Sequence, residues 1–244
     1  MRFSVAWRYS VNKTIPCRLS LIFARQAPVA VILRRGPKKW VEAVKWNTKT
    51  DAFEEGQWFY GRIYSERCGL SPDGKLLVYF AIQHWKANED EGYEQSFTAV
   101  SRPPWLAPLA MWPDGATWGG GGRFIDNKTL FLAYGKGRTA HPGSDDTEIY
   151  MAPFCDMHHP DYPPTGLKIR CCCDHYDSDR NFRLPDTEYP QAEWFGRDHF
   201  GREIFIREGR LFRLVRRGSE ERLLRDFNLD QRRRREAPAW AGRW

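Results

Sequence analysis

Residues 155–177, CDMHHPDYPPTGLKIRCCCDHYD, hold four of the chain's six cysteines and three of its six histidines. Thiolate and imidazole are ligands that suit zinc, and two of them three positions apart can grip one tetrahedral ion from a turn. Cys155 with His158, and Cys172 with His175, form two such pairs, and zinc is the cofactor they would hold. A second reading competes with this one. LKIRCCC alternates with period two, putting Leu167, Ile169, Cys171 and Cys173 on one face and Lys168, Arg170, Cys172 and Asp174 on the other. In a strand, Cys171 and Cys173 are small buried hydrophobes, and only Cys172 faces outward with His175 close behind. The strand reading is the stronger, so the default expectation is a chain without a cofactor.

Other residues invite other chemistry. In WGGGGRF, successive glycine N–H groups could ring an anion. The Lys-Ser/Thr that completes a nucleotide loop is missing, and no helical pattern follows, so Gly119 to Gly122 read better as a strand pressed against another backbone. Hydrolysis would draw on His84, His141 and the Asp145-Asp146 pair, but no nucleophile-elbow or metalloprotease spacing organises them. Arginine outnumbers lysine 28 to 10, and residues 197–244 carry 14 basic and 8 acidic side chains, so most of the net +7 belongs to the C-terminal part. The run Arg232, Arg233, Arg234, Arg235 makes nucleic acid the alternative partner, through phosphate neutralisation. The acidic residues interleaved with it dilute that field.

The elements that must position such residues are strands. At 244 residues with eleven Trp, sixteen Pro and twenty Gly, the chain can bury a sizeable core and is rich in turns. Scattered cysteines with three in a row do not make a secreted disulfide framework, and a reducing cytoplasm is the expected compartment. No apolar run reaches the roughly 18 residues of a membrane span, so no membrane partner is expected. RLSLIFA (18–24) and PVAVILRR (28–35) predict a hairpin, and KKWVEAVKWNTKTDAFEEGQWF (38–59) predicts strand, turn, strand. Residues 1–15 are expected to be a loose extension and 16–244 a single domain.

In LSPDGKLLVYFA (70–81), Pro72 presets φ, Gly74 accepts positive φ, and an apolar strand follows. DNKTLFLAY (126–134) and FGREIFIREGRLFRLV (200–215) repeat the theme, and QWFYGR (57–62) is echoed by EWFGR (193–197). The Ser-Pro-Asp-Gly-Lys phrase resembles the turn and strand of β-propeller repeat proteins, and the chain's middle is similar to uncharacterised bacterial proteins. The resemblance implies an all-β, propeller-like fold of about four or five small antiparallel blades, with a β-sandwich or barrel as the alternative. It carries over no catalytic residue. The expected function is therefore a non-enzymatic binding or scaffold module that meets a protein partner through loop-borne aromatic and arginine side chains. Trp118, Arg123, Trp194 and Arg197 are the candidate binding residues.

Overall fold

The computed structural model describes residues 15–36, 38–83, 95–113, 120–133, 148–152, 192–215 and 220–243. Trp118, Cys155, His158, Cys172, His175, His84, His141, Asp145, Asp146 and the LKIRCCC segment lie outside them, as do residues 1–14. The chain is all-β. Among the described residues, helical structure is confined to three short 3-10 turns, Ser65–Arg67, Phe227–Leu229 and Ala239–Gly242.

Among the described residues, sixteen strands fall into four small sheets that follow one another along the chain. The first is the meander β1 (Arg18–Phe23), β2 (Val29–Arg35), β3 (Trp40–Asn47) and β4 (Ala52–Tyr60). The second holds β5 (Arg62–Ile63), β6 (Gly69–Leu70), β7 (Leu77–Ile82), β8 (Ser96–Ser101) and β9 (Pro108–Pro113), with β5 and β6 both pairing with β7. The third comprises β10 (Gly122–Phe124), β11 (Thr129–Ala133) and β12 (Glu148–Ala152). The fourth is again a meander, β13 (Trp194–Arg197), β14 (Glu203–Arg207), β15 (Arg210–Val215) and β16 (Glu220–Asp226). Neighbouring strands run antiparallel except β11 and β12, which are parallel. Fourteen residues separate those two strands, enough for the crossover that a parallel pair needs.

The recurring turn is built by the same bonds in the second and fourth sheets, and by a shorter side-chain cap in the third. In the second sheet Gly74 N–H donates to Ser71 O at 2.9 Å, and Lys75 N–H donates to the Ser71 hydroxyl at 3.1 Å. In the fourth, Gly201 N–H donates to Asp198 O at 3.0 Å, and Arg202 N–H donates to the Asp198 carboxylate at 3.0 Å. Asp198-His199-Phe200-Gly201-Arg202 is thus the counterpart of Ser71-Pro72-Asp73-Gly74-Lys75, with glycine at φ near +70° in both. At Asp126 in the third sheet, the side chain accepts from Lys128 N and Thr129 N, both at 2.7 Å. These turns meet. Gln26 N and Ala27 N donate to Pro72 O, Asp73 N donates to the Asn127 side chain, and His199 Nε2 donates to Ala24 O.

Period-two alternation sends the side chains of the first and second sheets each to two different cores. Val31, Leu33, Val41 and Ala43 of the first sheet pack on Leu77, Tyr79, Ala81 and Ala99 of the second. On the opposite face of the first sheet, Ile32, Val44 and Trp46 pack on Ile204, Ile206 and Leu211 of the fourth. The second sheet's other face sets Val78, Val100 and Trp112 against Phe124, Leu130 and Leu132 of the third. Each fully buried large side chain contributes about 1.5–3 kcal/mol, so these seams are the main source of stability.

A polar clasp locks the seam between the first and fourth sheets. Arg202 pairs with Asp198 in its own turn and with Asp51, whose carboxylate it reaches at 2.9 and 3.1 Å, and it donates to Thr48 O. Arg213 also reaches Asp51, at 3.3 Å. Arg202→Ala leaves the largely buried Asp198 without its guanidinium, and is expected to cost about 2–3 kcal/mol in urea unfolding. A change close to zero would mean that apolar packing alone holds this seam.

Candidate functional site

The first and second sheets are packed tightly where their strands carry Val, Leu and Ala. At the end of β1 remote from the 24–28 turn, the same faces switch to arginine. Arg18 of β1 and Arg35 of β2 are directly opposite one another, as are Ser20 and Leu33, so all four project from one face. Across the seam stand Arg62 and Ile63 of β5 and the following Tyr64, Ser65 and Glu66. Together they enclose a cleft of about 100 Å³ whose floor is Leu33, Val41 and Ile63. That is room for about three waters, well below the ~300 Å³ at which drug-sized ligand pockets begin. It suits the head of one small polar group.

The cleft gathers like charges. Elsewhere in the described residues, Arg197 pairs with Glu203, Arg207 with Glu221, Arg210 with Asp226, and Arg225 with Glu55 and Asp230. Arg18 and Arg35 have no carboxylate partner among the described residues, although like charges directly opposite on a sheet cost on the order of 0.2–1 kcal/mol. Arg62 lies over the Tyr64 ring at 4.2 Å, and Arg67 approaches the same ring at 5.2 Å, so the ring holds Arg62 at the cleft mouth. Glu66 is the one acid lining the cleft. Three guanidiniums, two serine hydroxyls and a phenol thus surround an apolar floor, an arrangement that attracts an anion.

The candidate residues that the structure describes, Trp194, Arg197, Arg123 and the 232–235 run, do not line this cleft. Trp194 is half-buried in the seam between the first and fourth sheets, stacked on Phe23 with ring centroids 6.1 Å apart. Arg197, on the same strand, is exposed and salt-bridged to Glu203 at 3.1 Å. Arg123 lies on β10 of the third sheet with its guanidinium 5.7 Å from the Phe131 ring. The glycine run forms no open anion cradle at Gly121: its N–H donates to the Thr98 hydroxyl at 2.7 Å, and a Cβ there would lie 2.4 Å from Arg67 O. No group of three or more His, Cys, Asp or Glu suited to a metal occurs among the described residues.

The arginine run is partly structural. Arg232 sits over the Trp40 ring at 4.4 Å, and Arg235 is ion-paired with Glu55 on β4, whereas Arg233 and Arg234 are exposed. The segment is a strap that crosses the first sheet and reaches the second, where Arg102 donates to Arg243 O at 3.2 Å. Beneath it lies a buried charge network. Arg34 donates to Phe227 O and Asp230 O, and Arg225 joins Glu55 and Asp230 at 2.8 and 2.9 Å. Glu42, 2 % exposed, is pushed up to about 8 by burial, with the Asp230 and Glu55 charges adding to the effect. Burial likewise pushes the Cys17 thiol up to about 11, which makes it a poor nucleophile at neutral pH.

The comparisons with known proteins add no family: no family model, curated protein or solved structure matches this chain. No helix among the described residues is long and apolar enough to cross a membrane.

The Glu42 carboxyl makes stability depend on pH in a defined direction. Below its unfolded value of 4.5, Glu42 is protonated in both states and adds no penalty. Between 4.5 and about 8 the unfolded chain ionises while the folded one stays neutral, so stability falls as pH rises and then levels off. Glu42→Gln is therefore expected to be more stable than the parent at pH 8, by about 1–3 kcal/mol, with the gap closing towards pH 4. Thermal unfolding followed from pH 4 to pH 9 reads this directly; equal stabilities at pH 8 would show Glu42 ionised at no cost.

Proposed function

We propose that this protein is a non-enzymatic recognition module that binds a protein partner through an anionic group of that partner, held in the Arg18, Arg35 and Arg62 cleft. The observation that carries the reading is the distribution of carboxylates. Eight arginines of the fourth sheet, its turns and the strap are ion-paired, namely those at 197, 202, 207, 210, 213, 225, 234 and 235, while the two that face each other across β1 and β2 have no carboxylate partner among the described residues. Arg18 and Arg35 thus stand as like charges in directly opposed positions at a cleft, where an external anion would neutralise them. The cleft walls belong to packed sheets, which fix the strand positions from which the donors project.

The scaffold is read as propeller-like. Support comes from sheets that stack in chain order, from the fourth sheet packing back on the first, and from the shared turn geometry that links neighbours. The first strands also lie side by side, β1 against β6 and β6 against β10, as blades around a common axis would place them. The alternative of nucleic-acid binding draws on Arg232, Arg233 and Arg234, the exposed members of the run, of which Arg232 lies over the Trp40 ring and Arg234 is 3.8 Å from Glu236. The hydrolase alternative draws on His84, His141, Asp145 and Asp146, outside the described residues.

Capture of partner proteins by the immobilised chain, with identification by mass spectrometry, tests the reading when the Arg18→Ala, Arg35→Ala double variant is run beside the parent. A partner retained by the parent and lost from the folded double variant is expected. Identical partner profiles for the two would place recognition elsewhere on the molecule.

A further inference from the structure

We infer that the anion taken by this cleft is a phosphomonoester dianion, the form carried by a phosphorylated serine, threonine or tyrosine. The inference rests on the cleft being a recognition site, and it adds the chemical class of the group recognised. Three features point to it. Arg18, Arg35 and Arg62 against the single Glu66 leave two positive charges around the cleft. A phosphomonoester carries about −1.5 to −2 at neutral pH, against −1 for a carboxylate, so the dianion matches the charge and the carboxylate leaves half of it uncompensated.

The donor set agrees. A carboxylate is satisfied by one bidentate arginine, whereas a phosphate has three terminal oxygens, each a strong acceptor. Arg18 and Arg35 come from the first sheet and Arg62 from the second, so the guanidiniums approach from both walls, and the Ser20 hydroxyl adds a donor from the first sheet, while the Ser65 hydroxyl donates to Glu66 at 3.4 Å. Size is the third feature. At about 100 Å³ the cleft admits a phosphate head and excludes a nucleoside, so whatever bears the phosphate must lie outside, across the mouth where Tyr64 and Arg62 are stacked. A phosphorylated side chain reaching in from a partner's backbone meets that condition, and so does a small phosphorylated metabolite.

Isothermal titration of the full chain distinguishes these outcomes. The probes are inorganic phosphate, a phosphoserine peptide, the same peptide with glutamate in place of phosphoserine, and acetate. The phosphopeptide is expected to bind at least about tenfold more tightly than its glutamate counterpart, the worth of one charge-assisted hydrogen bond or more, and Arg35→Ala is expected to remove that preference. Glu66→Gln, at an exposed position where folding is not at stake, is expected to raise phosphate affinity several-fold by removing the opposing charge. A phosphopeptide tighter than inorganic phosphate assigns the dianion to a partner protein; equal affinities assign it to free phosphomonoesters and overturn the partner-borne source. Equal binding of the phosphorylated and glutamate peptides, lost on Arg35→Ala, overturns the inference and leaves the recognition reading standing. If no probe binds and Glu66→Gln changes nothing, both fall.

Discussion

The structure depends on one constraint: a sheet of three to five short strands cannot keep both of its faces dry by itself. Val31 and Ile32 are adjacent in β2, both fully buried, and they face different neighbours. The same holds for Leu77 and Val78 in β7, one turned to the first sheet and the other to the third. Because every residue along such a strand is covered, the interior is a series of seams rather than one core. Each seam relies on the sheet beyond it being present.

Polar groups are then forced to the ends of the seams, and each end solves the problem differently. At the 24–28 end, turns interlock through backbone amides and through His199, whose Nε2 donates to Ala24 O while Nδ1 accepts from the Thr48 hydroxyl. Asp51, Asp198 and Arg202 neutralise one another beside them. Behind the first sheet the strap supplies Asp230 and the Phe227 carbonyl to arginines that would otherwise be buried alone. At the Arg18 end of the seam between the first two sheets, the carboxylates that close the other ends are replaced by a cleft.

Much of the fold was legible before any coordinates. The hairpin of β1 and β2, the β3 to β4 pair and the strands after Pro-Asp-Gly and Asp-Asn-Lys follow from alternation and turn chemistry, which are local. Strand β13 was visible only as an echo of an earlier phrase, and the two-residue strands β5 and β6 left no periodic signal at all. The glycines near 121 were correctly legible as a close backbone approach, since only a residue without Cβ fits beside Arg67 O.

The candidate cleft was not legible, because its members are 18, 35 and 62 in sequence and each looks like an ordinary strand-end arginine. Trp194 and Arg123 drew notice for their residue types, yet a tryptophan serves a seam as well as a surface, and type alone does not separate the two. Residue order therefore determined an all-β chain of short strands with repeated turns, because backbone preference and period-two patterning act over a few residues. Which arginine meets a carboxylate and which is left facing an open cleft was decided only by the stacking of sheets, which brings together side chains that the chain itself keeps far apart.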